Sequence, residues 1–217
     1  MSKKYRKNEP EKSAPIKIRP LNEYQKGYQY ELNGGNSIII VSGPAGCGKT
    51  LLACVAGMQG IKAKLYDKLV ITRPVVESGE RIGYLPGELD EKLAPYMAPI
   101  IDACHFAGED IAKVKSFVEI APLAYMRGRT FRRSFVIADE MQNATHEQLL
   151  MLLTRIGEGT KMVITGDVDQ TDLPVHRVGA LARAIKRLKG IDGIIPYLFP
   201  PDSSVRHPLI GKILKAM

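Results

Sequence analysis

The sequence predicts an α/β domain built on a doubly wound, mostly parallel sheet. Short apolar segments recur along the chain, which is typical of strands buried on both faces of a parallel sheet. Segments with helical spacing alternate with them, as in successive β–α units. The chain has 217 residues, of which 45% are hydrophobic, so we expect one domain with a sizeable core. No change in composition indicates a second domain.

The first elements can be assigned in chain order. Asn22 is a candidate N-cap for a helix that ends near 33–35. A strand is predicted at 37–41, and a helix follows at 50–63. Further apolar segments predict strands at 68–72, 117–120, 134–138 and 162–165, with a weaker candidate at 191–198.

Two other segments complete the assignment. Thr145 and Gln148 have the spacing of a capping box, which opens a helix that we expect to end at Gly157. Segment 74–107 is the least regular part of the chain and contains several prolines. We expect it to form an ordered excursion on the ligand-binding edge of the sheet, outside the core.

The positive charge of the chain is concentrated near its start. The formal net charge is +8, and residues 1–20 contain seven Lys or Arg against two Glu. We therefore divide the chain into a basic, disordered tail at 1–20 and a domain at 21–217. The tail either contacts a polyanion such as RNA or DNA, or is a solvated arm that keeps the protein soluble.

Composition also predicts where the protein works. The three cysteines are an odd number without the spacing of metal ligands, which fits a reducing compartment. No stretch approaches the ~18 consecutive apolar residues of a membrane helix. The first residues lack the apolar core of a signal peptide. We expect a cytoplasmic protein that has no membrane segment.

A glycine-rich loop follows the strand at 37–41. It matches the phosphate-loop pattern G-x-x-x-x-G-K-[ST] between a predicted strand and a predicted helix. Such a loop turns its backbone N–H groups toward phosphates, at the positive end of the following helix. Lys49 would add a cation near the β and γ phosphates, and the Thr50 hydroxyl would bind Mg²⁺. The predicted nucleotide contacts are Gly43, Pro44, Ala45, Gly46, Cys47, Gly48, Lys49, Thr50 and Leu51.

Two adjacent carboxylates end the strand at 134–138. Asp139 is sufficient to position Mg²⁺, and Glu140 is the second acid that a hydrolase needs to orient and deprotonate water. The carboxyl ends of parallel strands are where open α/β sheets bind ligands. The alternative is a solvated acidic turn, and the phosphate loop about ninety residues earlier favours the catalytic interpretation.

A third polar group follows the strand at 162–165. After Gly166, the side chains of Asp167 and Gln170 could sense the γ phosphate or hold the attacking water. Gly-Asp is also a common turn sequence, so this motif has weight only together with the other two.

Taken together, these residues resemble the PhoH-like proteins, RecA-type ATPases related to the N-terminal half of superfamily 1 helicases. The resemblance implies a RecA-like P-loop NTPase fold that uses ATP and Mg²⁺. It extends over most of the chain, in the blocks GPAGCGKTLLA, ITRPVVESGERIGYLPGELDEKLAPYMAPIIDA, EIAPLAYMRGRTFRRSFVIADEMQNATHEQLLMLLTRIGEGTKMVITGDVDQTDLP and VRHPLI.

The resemblance also implies residue roles. Gln25 would read adenine, and Arg206 would reach the γ phosphate, where such an arginine supplies roughly 10³ to 10⁵ in rate. Asp139, Glu140 and Gln142 match the D-E-x-Q box, and Asp167 with Gln170 matches the motif that couples the nucleotide to a polynucleotide. The alternatives are a glutamine on a helix face and a surface arginine.

Contacts to RNA or single-stranded DNA are implied by analogy with related helicases. Such loops follow two strands, one with Thr72 and Arg73 and the other with Arg127 and Arg129. Arginines and hydroxyls would hold phosphates. Bases could stack on tyrosines, although Tyr96 and Tyr125 are also consistent with core or subunit contacts. The three candidate tyrosines are Tyr84, Tyr96 and Tyr125.

A single RecA-like unit raises the question of what completes the ATP site. We expect a homo-oligomer, with a hexameric ring favoured by the resemblance, in which Arg127, Arg129 or Arg206 reaches across an interface. The alternative is an ATP-gated module that binds nucleic acid or protein without motor activity. A small-molecule kinase has no support beyond the phosphate loop.

Overall fold

The computed structural model describes residues 18–74, 98–99, 101–107, 109–170 and 179–205. Within these residues, six parallel strands form one sheet in the order β3-β2-β4-β5-β1-β6. The strands are β1 (Ile38–Ser42), β2 (Lys68–Arg73), β3 (Val118–Pro122), β4 (Ser134–Ala138), β5 (Lys161–Gly166) and β6 (Ile194–Leu198). The helices are α1 (Glu23–Asn33), α2 (Lys49–Lys62), α3 (101–107), α4 (Ile111–Lys115), α5 (His146–Leu153) and α6 (Ala180–Leu188).

Helices cover both faces of the sheet, so the predicted doubly wound α/β fold is confirmed. Side chains of a strand alternate between the two faces. Ile39 of β1 packs in the core cluster that contains α1, α2 and α3, whereas Ile40 packs in the cluster that contains α5 and α6. All five residues of β1, β4 and the six of β5 are buried, which explains their uninterrupted apolar character.

The order of the strands brings three sequence motifs together. β5 lies between β1 and β4 and pairs with both in parallel. The glycine-rich loop follows β1, the two carboxylates follow β4, and the Gly-Asp motif ends β5. All three therefore lie at the carboxyl edge of neighbouring strands, where open α/β sheets bind ligands.

The predicted element positions are largely confirmed, and two of them need correction. Asn22 caps α1 through its side chain, and Thr145 and Gln148 form the predicted capping box of α5. However, α5 ends at Leu153 and not near Gly157. The chain leaves the helix early because the carbonyl of Arg155 accepts a hydrogen bond from the Phe131 N–H at 2.8 Å.

Segment 74–107 was predicted to lie outside the core, which is wrong for its last part. Residues 101–107 form a helix, and Ala103 and Cys104 have no exposed area in the core cluster with α2. Residues 75–97 and 100 lie outside the described residues, as do 1–17 of the basic tail. The short helix α4 and the basic helix α6 were not predicted. No described helix is long and apolar enough to span a bilayer.

Candidate nucleotide site

The glycine-rich loop joins the buried strand β1 to α2. Gly48 is the N-cap of α2 and has a φ of +95°, a left-handed conformation that favours glycine. As a glycine, Gly48 provides no side chain to cap this end of the helix. The first N–H groups of α2 have no partner within the helix and suit a ligand together with the positive end of the helix dipole, and the Lys49 N–H contacts the Cys47 sulfur.

Three carbonyl groups of the loop accept hydrogen bonds from residues outside the loop. The carbonyls of Ala45, Gly46 and Cys47 accept hydrogen bonds, each at 3.1 Å, from the Ser204 hydroxyl, the Val205 N–H and the Gln25 side-chain amide. In a trans peptide the N–H of the next residue points away from the carbonyl. The N–H groups that follow these carbonyls are therefore directed away from the three outer partners. Those of Gly46 and Gly48 are suited to binding an anion, whereas the Cys47 N–H donates to the Pro44 carbonyl at 3.4 Å.

Lys49 lies inside this loop. Its ammonium group donates hydrogen bonds to the carbonyls of Gly43, at 2.6 Å, and Pro44, at 3.0 Å. The Cys47 sulfur lies 3.8 Å from the same ammonium. Burial raises the pKa of the Cys47 thiol, and the nearby Lys49 charge offsets part of that effect. Cys47 is thus a protonated packing residue at neutral pH.

Asp139 connects the loop to the end of β4. Its Oδ1 accepts hydrogen bonds from the hydroxyl of Thr50, at 2.7 Å, and from the hydroxyl of Thr165 at the end of β5. Asp139 is only 8% exposed. A carboxylate and a hydroxyl oxygen in contact are the hard ligands that suit Mg²⁺, which keeps several of its waters. Thr50 and Asp139 therefore fit the predicted metal site.

Glu140 follows directly in an unusual backbone conformation. Its φ of +54° and ψ of +38° are left-handed, which is uncommon for a residue other than glycine. Such conformations cluster at functional sites. Its Oε2 accepts a hydrogen bond from the Gln142 amide at 2.5 Å. Glu140 lines the same cleft as Lys49 and Thr50.

Gln142 links this acidic pair to the Gly-Asp motif. Its Oε1 accepts a hydrogen bond from the backbone N–H of Asp167 at 3.2 Å. Gly166 permits this approach, because a Cβ atom there would lie 2.8 Å from the Gln142 Oε1. Asp167 is buried and its carbonyl accepts a hydrogen bond from the N–H of Gln170, whose side chain is exposed. The roles of Asp167 and Gln170 at the γ phosphate stay predictions.

Gln25 lies behind the loop. It is 4% exposed, and its Nε2 donates to the Cys47 carbonyl while its Oε1 accepts from the Leu21 N–H at 2.8 Å. One turn later on α1, the Tyr28 hydroxyl donates to the Lys49 carbonyl at 3.3 Å. α1 therefore supports the loop. Adenine reading by Gln25 stays a prediction.

The described residues outline a cleft of about 570 Å³ along the loop. Several residues in the cleft or next to the loop were not predicted. Thr165 had a signal, because it is a hydroxyl residue at the end of an apolar strand. The other residues belong to no sequence pattern that indicates a nucleotide site: Arg19, Leu21, Asp102, Phe106, Ser204 and Val205.

The candidate nucleic-acid residues are not brought together in the same way. Thr72 has no exposed area, and its hydroxyl has no hydrogen-bond partner among the described residues. Arg129 forms an ion pair with Glu119 and lies 5.3 Å from the centre of the Phe131 ring. Arg73 is partly buried and Arg127 is exposed. Their contacts to a strand stay predictions.

Three predicted residues lie outside the described residues: Tyr84, Tyr96 and Arg206. Arg206 directly follows Val205, whose N–H is bonded to the loop. Tyr125 is described and is 61% exposed, so it is not a core aromatic within the described part of the chain.

Comparison with solved structures supports the fold. The UvsW helicase from bacteriophage T4 aligns with a TM-score of 0.50 at 14% identity, covering 85% of this chain and 61% of that chain. At this identity the likeness concerns the fold alone. It agrees with the α/β architecture of the parallel sheet and the helices on both of its faces.

Comparison with other sequences identifies the family. The family model described as PhoH-like protein matches residues 17–217. A PhoH-like protein of Bacillus subtilis is 45% identical over 214 residues, which are 97% of this chain and 66% of that protein. Protein PhoH of Escherichia coli K12 is 36% identical over 210 residues, which are 94% of this chain and 58% of that protein.

A PhoH-like protein of Mycobacterium tuberculosis H37Rv is 44% identical over 203 residues, or 92% of this chain and 57% of that protein. The chain thus spans between 57% and 66% of the length of these relatives. The match nevertheless extends over nearly all of the chain, including every motif described above. The chain belongs to the PhoH-like protein family.

Proposed function

We propose that this chain is a Mg²⁺-dependent ATPase whose hydrolysis is coupled to binding or remodelling of RNA or single-stranded DNA. The observation that carries the proposal is the arrangement at the carboxyl edge of β1, β5 and β4. Lys49, Thr50 and Glu140 line one cleft, and Asp139 contacts Thr50 from behind. This is the set of groups that phosphoryl transfer to water needs.

The triphosphate would lie in the loop. Phosphate oxygens would replace the carbonyls of Gly43 and Pro44 as acceptors for the Lys49 ammonium. N–H groups at the start of α2 would bind the same anion. Thr50 and Asp139 would hold Mg²⁺, which when bound neutralises charge on the β and γ phosphates.

Glu140 would act as the base. A carboxylate in the cleft can orient a water molecule and accept its proton as the oxygen attacks the γ phosphorus. The bond from Gln142 fixes one oxygen of Glu140, which leaves the other for the water. Because Gln142 also bonds to Asp167, a movement of the Gly-Asp motif would shift the base through Gln142.

Coupling to a polynucleotide is supported by charge on the surface. Helix α6 and the next residue carry four basic side chains and no acidic ones, and all four are exposed: Arg183, Lys186, Arg187 and Lys189. α6 packs against the turn that carries Gln142, since Leu181 and Met141 share a core cluster. A phosphate backbone held by this helix would therefore lie close to the turn in which Gln142 contacts Glu140.

A neighbouring subunit would complete the positive charge around the γ phosphate. Among the described residues that line the cleft, the basic side chains are Arg19 and Lys49. An arginine from a second copy, such as Arg206 or the exposed Arg127, would supply the missing charge in a homo-oligomer, with a hexamer favoured. Light scattering and specific activity across a dilution series test this. Full activity of a monomer would contradict it.

The first experiment is steady-state phosphate release from ATP with Mg²⁺, with and without single-stranded RNA or DNA, across a salt series. We expect stimulation that fades as salt rises, because phosphate contacts release counterions. Hydrolysis that is indifferent to both polynucleotides would leave the ATPase but not the coupling. Stoichiometric ATP binding without turnover would instead support the ATP-gated binding module.

A further inference from the structure

The cleft extends beyond the phosphate loop, toward helix α3. Asp102 and Phe106 of this helix line the cleft together with Arg19 and Leu21, which precede α1. Residues four apart lie on one face of a helix. α3 therefore turns Asp102 and Phe106 to the cleft, while Ala103 and Cys104 anchor the helix in the core without exposed area.

Phe106 is a large apolar side chain that is mostly exposed to solvent. Its exposed fraction is 67%, and that of Leu21, on the same cleft, is 72%. Two large apolar side chains thus face solvent beside a site built for phosphate. Exposed apolar groups that line a pocket with convergent polar groups are typical of ligand-binding sites.

Gln25 does not provide a surface on which a nucleobase could stack. Both ends of its amide are already bonded to backbone, at Leu21 and at Cys47, and the residue is 4% exposed. Its remaining hydrogen-bonding capacity could identify an edge of the base, but the amide offers no surface for the face of the ring. A base needs such a surface, because much of its binding comes from stacking.

We propose that Phe106 forms the face of a nucleobase subsite, in which the base of the bound nucleoside triphosphate stacks on the phenyl ring with Leu21 beside it. The inference rests on the proposed nucleotide binding and adds the part of the site that holds the base. The continuity of this surface with the phosphate loop in a single cleft supports it. Asp102 and Arg19 supply an acceptor and donors at the rim.

Tripolyphosphate separates base binding from phosphate binding, because it carries the charges of ATP without a base. Calorimetry with Phe106→Ala is expected to show about a 10-fold weaker Kd for ATP. The Kd for tripolyphosphate is expected to remain unchanged. Tyr30→Ala is the matched control, since Tyr30 is an aromatic residue of α1 that is 77% exposed and lies outside the cleft. This control is expected to change neither constant.

Phe106→Trp provides a second readout. The chain contains no tryptophan, so the new indole is the only one in the protein. ATP is expected to quench its fluorescence at saturation, and tripolyphosphate is not. Wild-type-like ATP affinity in Phe106→Ala, an equal loss for both ligands, or equal quenching by both would overturn the proposal. If the unaltered protein bound neither ligand, the proposed function itself would fail.

Discussion

The nucleotide site and the candidate strand contacts differ in how their polar groups are held. At the nucleotide site, Asp139 accepts hydrogen bonds from Thr50 and Thr165, and Gln142 connects Glu140 with the N–H of Asp167. Among the candidate strand contacts, the hydroxyl of Thr72 is buried without a partner in the described residues, and Arg129 is paired with Glu119. One region is a connected network, and the other consists of separate residues.

The difference is consistent with the two functions proposed for these regions. Phosphoryl transfer requires donors, a metal and a base at fixed positions, because a small displacement of a reacting group lowers the rate strongly. Contacts to a phosphate backbone depend mainly on charge, and many arrangements of Lys and Arg provide it. Short sequence motifs therefore identify a site for phosphoryl transfer. A site for a phosphate backbone can be assigned only when the structure shows which basic side chains share a surface.

Replacing the base should give the largest effect. Glu140→Gln keeps an oxygen that can accept the hydrogen bond from Gln142, but an amide cannot take a proton from water. We expect turnover to fall by roughly 10² to 10⁴. Binding of ATP, measured by calorimetry, should be unchanged.

Glu158→Gln is the control for this change, because Glu158 is an exposed carboxylate that does not line the cleft. Its turnover should equal that of the unaltered protein. Equal turnover in Glu140→Gln would remove Glu140 from the mechanism and leave Asp139 as the only acid of the pair with a role.

The network itself is tested by Gln142→Ala. This change removes the bonds to Glu140 and to the Asp167 N–H, of which the first has a charged acceptor. Because such bonds contribute about 1.5–3 kcal/mol, we expect turnover to fall roughly 10- to 100-fold and stimulation by RNA to be lost. Phosphate release with and without RNA measures both.

Gln148→Ala is the matched control for Gln142→Ala. It breaks the capping box of α5, so it should lower the free energy of unfolding by about 1 kcal/mol without abolishing stimulation by RNA. A Gln142→Ala protein that retains full stimulation would show that the Gly-Asp motif does not act through this bond.

Much of the nucleotide site could be predicted, because its functional groups lie close together in the sequence within short motifs. The strand, loop and helix around Lys49 and the acid pair at the end of β4 follow from apolar runs and spacing. The order of the strands does not follow from these patterns, so the position of β5 between β1 and β4 was not predicted. The contacts of Ser204 and Val205 with the loop join segments about 160 residues apart, as the Ser204–Ala45 bond does, and no local pattern encodes them.

Helix positions depended on tertiary contacts in two cases. The end of α5 is set by pairing of the following residues with the segment at Phe131. The segment before α4 has prolines and glycines that hid the helix at 101–107, although Ala103 and Cys104 lie in the core. Packing overrides local propensity at such places.

The basic helix α6 offers a way to sharpen the comparison. Reversing two charges with Lys186→Glu and Arg187→Glu should weaken binding of single-stranded RNA by about 10-fold at low salt. It should also reduce the slope of log Kd against log salt by about 2, because each lost phosphate contact lowers it by about one. Fluorescence anisotropy with labelled RNA measures both quantities.

Lys113→Glu with Lys115→Glu is the matched control, since these two exposed lysines belong to α4. It makes the same change in net charge at a different place. Similar losses in both double variants would mean that net charge alone governs binding, and α6 would not be a contact surface.

The smallest effect concerns Arg129 and its partner. The hydrogen bond from Arg129 lowers the pKa of Glu119, and Lys68 acts in the same direction. A carboxyl with a lowered pKa stabilises the fold above its unfolded pKa of about 4.3. That contribution is lost as pH falls through the folded pKa. Both side chains are about a third exposed, at 29% and 36%, so Glu119→Gln should cost no more than about 1 kcal/mol at pH 7.

Urea unfolding of Glu119→Gln and the unaltered protein, at pH 7 and at acid pH, measures this contribution. The difference between the two proteins should shrink in acid, because the unaltered carboxyl is then protonated as well. A difference that is independent of pH would mean that packing, and not charge, is lost. The same variant frees Arg129 from its carboxylate. Tighter binding of RNA would make Arg129 a contact to the nucleic-acid strand, whereas unchanged binding would leave it as the ion-pair partner of Glu119 near the start of β3.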